Sequence, residues 1–484
     1  MTQNKIYLIM MAFFLFFITL IFPIFPSSIS ASKMFSVVVL MAFLWLTEAL
    51  PLGITSLLPI VLYPLLQIDS TSSTSTNYMN STIFLFIGGF FISIAMEKWN
   101  LHKRLALNLL KILGTSKHKI ILGFLLSTSI MSMFLSNTAT AMIMLPIALS
   151  IIFKVESHFE ERTANNFSKA LLLTIAYSAS IGGVATLIGT PPNLVLVKVY
   201  KIAFPNLPEI TFSSWLIYGI PISLGMSILL FSLISIIYLK KLPNKLLEKS
   251  DIVNQISLLE SIQPAEKKIL LIFAITVFLW IFRVPIDLGG FVIPGWSSFL
   301  GMEKTIDDGT IAIFSALLLF IVPSSFKDMN IKILDSHSIT KVPWEIILLF
   351  GGGFALASGF EHSGLSKEIA LKLNYINELP LFVIIFAVSL FVVILTEFSS
   401  NTATAATVLP IIASLSQVLN INPLILMIPA TISASLAFML PVSTPPNAII
   451  FSSGKIKINE MAKVGIYLNI LGIIFVTIFF SIVK

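Results

Sequence analysis

The string SNTATA occurs twice in this chain, at Ser136–Ala141 and at Ser400–Ala405, 264 residues apart. At the same offset Gly88-Gly89-Phe90 recurs as Gly352-Gly353-Phe354, Glu97 as Glu361, Leu101 as Leu365 and Pro146 as Pro410. Further on, Thr190-Pro191-Pro192-Asn193 recurs as Thr444-Pro445-Pro446-Asn447, now 254 apart. The chain is a duplicated unit, with about ten extra residues in one connection of the first copy. These polar strings lie in apolar surroundings. Only 11% of the residues are charged and 56% are hydrophobic, against about 25% charged in a soluble domain. Many apolar runs reach the roughly 20 residues that a membrane-spanning helix needs. A polar string copied once in such a chain implies one ligand held between two halves.

The apolar runs predict an all-α polytopic membrane protein with eleven crossings, near 6–26, 33–50, 52–68, 81–98, 167–203, 213–240, 265–284, 308–325, 343–361, 423–452 and 459–483. Two further stretches, 120–153 and 380–416, carry SNTATA at their centres. Each is long enough for two half-length helices and predicts a re-entrant hairpin, because irregular backbone at membrane depth is tolerated only inside protein or against a water-filled cavity. The run at 6–26 reads as a retained first span, since no clean small-residue cleavage site follows it. The absence of cysteine excludes disulfides and thiolate metal sites. The formal charge of +7 resides in short loops. That is an orientation signal and not the mark of a nucleic-acid partner.

Residues 98–119 and 240–268 are rich in lysine, whereas 69–81 has neither lysine nor arginine and is rich in Ser and Thr. The positive-inside rule then places the N-terminus in the cytoplasm and the C-terminus outside, in the plasma membrane. The first hairpin opens inward and the second outward. Matching elements are separated by five crossings, an odd shift, so the copies are inverted about an axis in the membrane plane. The expected organisation is a first span and exterior loop (1–32), repeat 1 (33–240), a cytoplasmic linker (241–264) and repeat 2 (265–484). Basic, partly apolar residues 99–118 predict a helix lying on the cytoplasmic membrane surface.

Each copy offers two polar interruptions. One is a hairpin tip (Ser136-Asn137-Thr138; Ser400-Asn401-Thr402). The other is a broken helix at 189–193 or 443–447, where consecutive prolines remove backbone donors. Exposed carbonyls and Ser, Thr and Asn oxygens suit a small hard cation, and the positive ends of half-helix dipoles suit an anion. Each copy can therefore hold one cation, and the two tips together one anion. None of these four segments contains Lys, Arg or His. A buried anion is costly without compensation, and mobile cations can supply it. That is a physical basis for cation-coupled transport.

At these motifs the chain resembles the divalent anion/sodium symporter family, whose members carry C4-dicarboxylates, citrate or sulfate. The likeness includes the paired SNT and TPPN strings, Thr47-Glu48-Ala49-Leu50-Pro51 and Ile87-Gly88-Gly89-Phe90, and covers nearly the whole chain. It implies two sodium sites, one at Ser132, Ser136, Asn137 and Gly189, the other at Thr396, Ser399, Asn401 and Ser443. It places the substrate carboxylates at Asn137, Thr138, Thr190, Ser400, Asn401, Thr402 and Thr444. It further implies a homodimer in which a transport domain moves like an elevator against a scaffold domain.

The expected function is sodium-coupled symport of a C4-dicarboxylate such as succinate, malate or fumarate. A sodium-independent dicarboxylate exchanger of the same family is the alternative, and it would be expected to carry a basic group in the site. Inorganic-anion or proton-coupled transport is a further alternative. A channel fits closed hairpins poorly. An enzyme would need clustered acids, bases or metal ligands at membrane depth, and no catalytic residue is expected. Among the intramembrane acids, Glu97 and Glu361 are expected to pin structure, Glu48 to sit at a tight turn, and Glu397 to hold the second tip by hydrogen bonding.

The orientation is testable in a background free of cysteine. A cysteine replacing Lys245 should resist an impermeant thiol reagent applied outside whole cells, and one replacing Ser73 should react. Labelling at position 245 from outside would reverse the assignment.

Overall fold

The computed structural model describes residues 3–114, 116–246, 261–287, 292–325, 329–372 and 378–482. These residues are helical apart from turns, loops and one antiparallel ribbon, Ile286–Asp287 with Val292–Ile293. Among the described residues, eight helices are long and apolar enough to cross a membrane. Seven coincide with predicted crossings: Gln3–Ile21, Ile29–Thr47, Ser81–Lys98, Glu161–Val184, Phe212–Ile237, Trp344–His362 and Ile458–Ile482. The eighth, Asn137–His158, is the longer arm of the first hairpin. The remaining predicted crossings are Leu52–Thr55 with Leu58–Leu66, Pro264–Ile281, Asp308–Ile321, and Leu424–Ser433 with Pro445–Phe451.

Several boundaries differ from the sequence reading. The second helix starts at Ile29, after an N-cap in which Ser28 accepts from Ala31 N–H, so the limit at residue 32 falls within a helix. The first hairpin is longer than 120–153, with arms Lys117–Ser132 and Asn137–His158. The second has arms Leu381–Glu397 and Asn401–Val418. Of the linker, residues 247–260 lie outside the described residues. The helix expected over 99–118 is Leu101–Leu113, and it has a counterpart, Leu365–Lys372. Each follows a left-handed residue at the 264 offset, Asn100 (φ 56°) or Gly364 (φ 74°). Arg104 on the first of these helices pairs with the buried Glu266 at 2.5 Å, docking it onto the start of Pro264–Ile281.

Two packing groups are visible, and each draws on both copies. Helices from 3–98 and 264–362 form one, with Ser81–Lys98 packed along Asp308–Ile321, while Leu101–Leu113 packs chiefly on the hairpin arm Lys117–Ser132 and Leu365–Lys372 is shared between the groups. Helices from 117–237 and 381–482 form the other, centred on Glu161–Val184, which is buried over 94% of its most apolar window. In the first group the repeated glycines make reciprocal contacts. A Cβ on Gly88 would lie 2.5 Å from the Ala312 carbonyl carbon and Cβ, and one on Gly352 would lie 2.6 Å from Ser56 Cβ. Each copy thus presses its glycine seam onto the short helical segment of the other. Small residues permit such backbone approach, the main attraction left to helices in lipid.

Both broken helices are present, but the prolines do not lie in the gaps. Glu161–Val184 stops, 185–190 is non-helical, and Pro191–Ala203 resumes with both prolines in its first turn. In the second copy the gap is 434–444 and Pro445–Phe451 resumes in the same way. Proline is favoured there because first-turn N–H groups have no intrahelical partner to lose.

Replacing Gly88 or Gly352 by valine should overpack this seam. The expected loss is about 1–3 kcal/mol per substitution, read as a lower melting temperature of purified protein than wild type.

Candidate functional site

The two hairpin tips meet the two broken helices around one cavity of about 800 Å³. Asn137, Thr138, Thr190, Ser400, Asn401, Thr402 and Thr444, all seven expected substrate contacts, line it. Four helices start at its wall, after N-caps Ser136, Thr190, Ser400 and Thr444. Each start carries roughly half a positive charge from the aligned peptide dipoles. Thr190 and Thr444 are buried, and Thr444 Oγ1 has no hydrogen-bond partner. Around the tips and breaks the arrangement of backbone dipoles and neutral side chains suits an anion.

Behind each tip is an oxygen cluster. In the first copy Ser132 Oγ lies 2.7 Å from Asn137 Oδ1 and 2.6 Å from the Ala179 carbonyl oxygen. One hydroxyl proton serves only one of those acceptors. Gly189 belongs to the same cluster: a Cβ on Gly183 would fall 2.5 Å from Asn137 Oδ1 and 3.0 Å from Gly189 O. A Cβ on Gly189 would in turn lie 2.5 Å from Gly183 O and 3.0 Å from Met133 O. Met133 O also accepts from Thr186 Oγ1. Ser136 is engaged elsewhere, its hydroxyl capping the helix by accepting from Ala139 N–H at 3.1 Å. The second copy repeats the arrangement, with Thr396 Oγ1 2.9 Å from Asn401 Oδ1 and 2.7 Å from Ala434 O. Ser399 Oγ is buried without a partner. Such oxygen-rich, proton-poor clusters suit a hard cation.

The copies differ in how they satisfy their gaps. In the first, Trp215 Nε1 donates to Val184 O at 3.0 Å, closing the helix end. In the second, the gap is longer and its freed N–H groups converge on Glu397. Oε1 accepts from Phe438 N (2.8 Å), Met439 N (2.9 Å) and Asn469 Nδ2 (2.6 Å). Oε2 accepts from Leu440 N (3.3 Å) and Ser443 Oγ (2.7 Å). Glu397 therefore holds the second gap as well as its tip. The hydroxyl of Ser443 is committed to it.

The remaining acids divide. Glu48 is the left-handed C-cap of Ile29–Thr47 (φ 47°). Glu361 accepts from Ser366 Oγ at 2.7 Å and pins the turn before Leu365–Lys372. Glu97, expected to act similarly, instead lines the cavity with Glu48, Glu345 and Lys341. Lys341 was not anticipated. It lies just before Trp344–His362, outside the repeated strings.

A family profile described as the sodium:sulfate symporter transmembrane region matches residues 2–483. The chain belongs to the divalent anion/sodium symporter family. Among curated relatives, the sodium-dependent dicarboxylate transporter SdcS of Staphylococcus saprophyticus is 42% identical over 439 residues, 90% of this chain and 82% of the relative. The protein of the same name from Staphylococcus aureus strain NCTC 8325 is 42% identical over 440 residues, 89% and 82% of the two chains. Among solved structures, Neisseria gonorrhoeae MtrF, titled as illuminating a class of antimetabolite efflux pumps, aligns with TM-score 0.56 at 12% identity, over 85% of this chain and 83% of that one. The Alcanivorax borkumensis YdaH transporter aligns with TM-score 0.57 at 12% identity, over 84% and 86%. At that identity the two structures speak for the membrane-transporter fold alone.

Removing the Glu397 carboxylate should leave buried N–H groups of the second gap unpaired. Glu397→Ala is expected to lose about 1–3 kcal/mol for each group stranded, and Glu397→Gln less. Thermal unfolding at fixed sodium concentration checks the order.

Proposed function

We propose that this protein is a sodium-coupled symporter of a C4-dicarboxylate, with two sodium sites. One observation carries the reading. Seven polar residues from four interruptions, two per copy, face one cavity, and four helix N-termini start at its wall. An oxygen cluster stands behind each tip. The relatives named as sodium-dependent dicarboxylate transporters support the choice of ions.

The first sodium is assigned to the cluster of Ser132, Asn137 and Gly189, with Ser136 beside it. The second is assigned to Thr396 and Asn401, with Ser399 and Ser443. The carboxylates meet Asn137, Thr138 and Thr190 on one side and Ser400, Asn401, Thr402 and Thr444 on the other. Each asparagine amide can turn its oxygen to a cation and its nitrogen to a carboxylate, which links the two ligands. Two sodium ions beside a dianion bring the site near neutrality, and a third would make transport electrogenic. The cavity extends to Glu48, Glu97, Lys341 and Glu345, at the helix ends assigned to the cytoplasm, so the structure is read as inward-facing. The protein acts in the plasma membrane as a homodimer, with the 117–237 and 381–482 group moving as the elevator.

Lys341 is the observation that favours the alternative, a sodium-independent exchanger. The relatives named as sodium-dependent leave the symport reading ahead.

In proteoliposomes, labelled succinate uptake should require an inward sodium gradient, and potassium or choline should not substitute. Succinate affinity should rise with sodium, and sodium affinity with succinate by the same factor. Equal affinity in all three cations would refute sodium coupling, and sodium-independent exchange from succinate-loaded vesicles would install the exchanger. Asn137→Asp and Asn401→Asp should each abolish uptake at equal membrane expression. Each variant keeps an oxygen but loses the donor and repels the substrate.

A further inference from the structure

Asn193 and Asn447 close the two TPPN strings, and neither meets the cavity. Both are fully buried. Their amide nitrogens nevertheless make matching contacts in the two copies. Asn193 Nδ2 lies 2.8 Å from Thr186 O and 3.4 Å from both Gly183 O and Val184 O. Asn447 Nδ2 lies 3.0 Å from Ala437 O and 3.1 Å from Leu440 O. Gly183 and Thr186 correspond to Ala437 and Leu440 at the 254 offset. Each amide therefore ties the carbonyl at one end of a four-residue stretch to the carbonyl at the other end.

That stretch is part of the cation cradle. Gly183 O faces Gly189, and the Gly183 α-carbon faces Asn137 Oδ1 and Gly189 O, in contacts too close to admit a Cβ. Moving the 183–186 carbonyls would change the spacing of the oxygens assigned to the first cation. The second copy offers the same lever through 437–440, beside Ser443. A further detail singles out the nitrogen. Asn193 Oδ1 and Asn447 Oδ1 are both buried without a hydrogen-bond partner. A buried orphan acceptor is unfavourable, and it recurs in both copies. The fold tolerates the idle oxygen because the two N–H groups on the neighbouring nitrogen are needed.

We propose that Asn193 and Asn447 are positioning residues for the two coupling cations. Each sets the spacing of the carbonyl cradle in its own copy without touching the ion. The proposal rests on the sodium-coupled reading above. Outer residues that orient metal ligands typically change metal affinity by about 10–100-fold when altered.

The test is sodium-dependent succinate uptake in proteoliposomes, with wild-type protein, Asn193→Asp, Asn447→Asp, Asn193→Ser and Asn447→Ser at matched protein content. Aspartate replaces the donors with acceptors facing carbonyls, and serine keeps one short donor. Expected is a rise of about tenfold in the sodium concentration for half-maximal uptake, larger for aspartate than for serine. The KM for succinate at saturating sodium should stay near wild type, and the preference between sodium and lithium should change. A lower maximal rate with unchanged sodium half-saturation and unchanged ion preference would show a purely structural role and overturn the proposal. Failure of both variants at a position to yield folded protein would overturn it too, by making the residue a fold determinant. If wild-type uptake ignores sodium, the sodium-coupled reading itself falls, an outcome distinct from the other two.

Discussion

A peptide backbone interrupted at membrane depth finds no water, so every freed donor and acceptor must be met from within the protein. The rest of this structure follows from that constraint. Each copy opens its chain twice, and the polar groups released are largely sorted by sign, except for the amides of 438–440, which turn to Glu397. Amide ends collect around one cavity, and carbonyls with hydroxyl and amide oxygens collect behind the tips. An arrangement suited to oppositely charged partners thus results from accounting for the backbone, with no fixed charge in the motif segments. The surrounding helices hold the openings in place, most of all the buried Glu161–Val184.

The copies meet this constraint by different means. The first keeps its long helix wound to Val184 and closes the end with an indole. The second unwinds from residue 434 and places the Glu397 carboxylate against the freed amides. Trp215 and Asn469 stand at equivalent positions, 254 residues apart, and each donates to its own copy's solution. A built-in negative charge therefore stands beside the second cluster and has no counterpart beside the first, where the equivalent residue is Met133. The two oxygen clusters are related by duplication but differ in their surroundings.

Much of this was legible in the sequence because duplication marks what matters: residues kept in register twice proved to be the tips, the breaks and the seam glycines. What escaped lacked such a mark. The prolines were assigned to the gaps because their local chemistry breaks helices, yet their tolerance in a first turn decided where they sit. Lys341 reaches the cavity through tertiary folding alone. The helix Leu365–Lys372 is short, and its only signal was the Leu101–Leu365 pair. The partners of the gaps, Trp215 and Asn469, differ in residue type between copies, so no repeat revealed them.

The reciprocal glycine seam reaches beyond local packing. Gly88 closes on a helix of the second copy, and Gly352 on a segment of the first. One half alone would bear a groove without its ridge and a ridge without its groove. Only a second half inserted upside down supplies both. Neither copy can therefore bury its glycine seam alone, and the two must fold against each other.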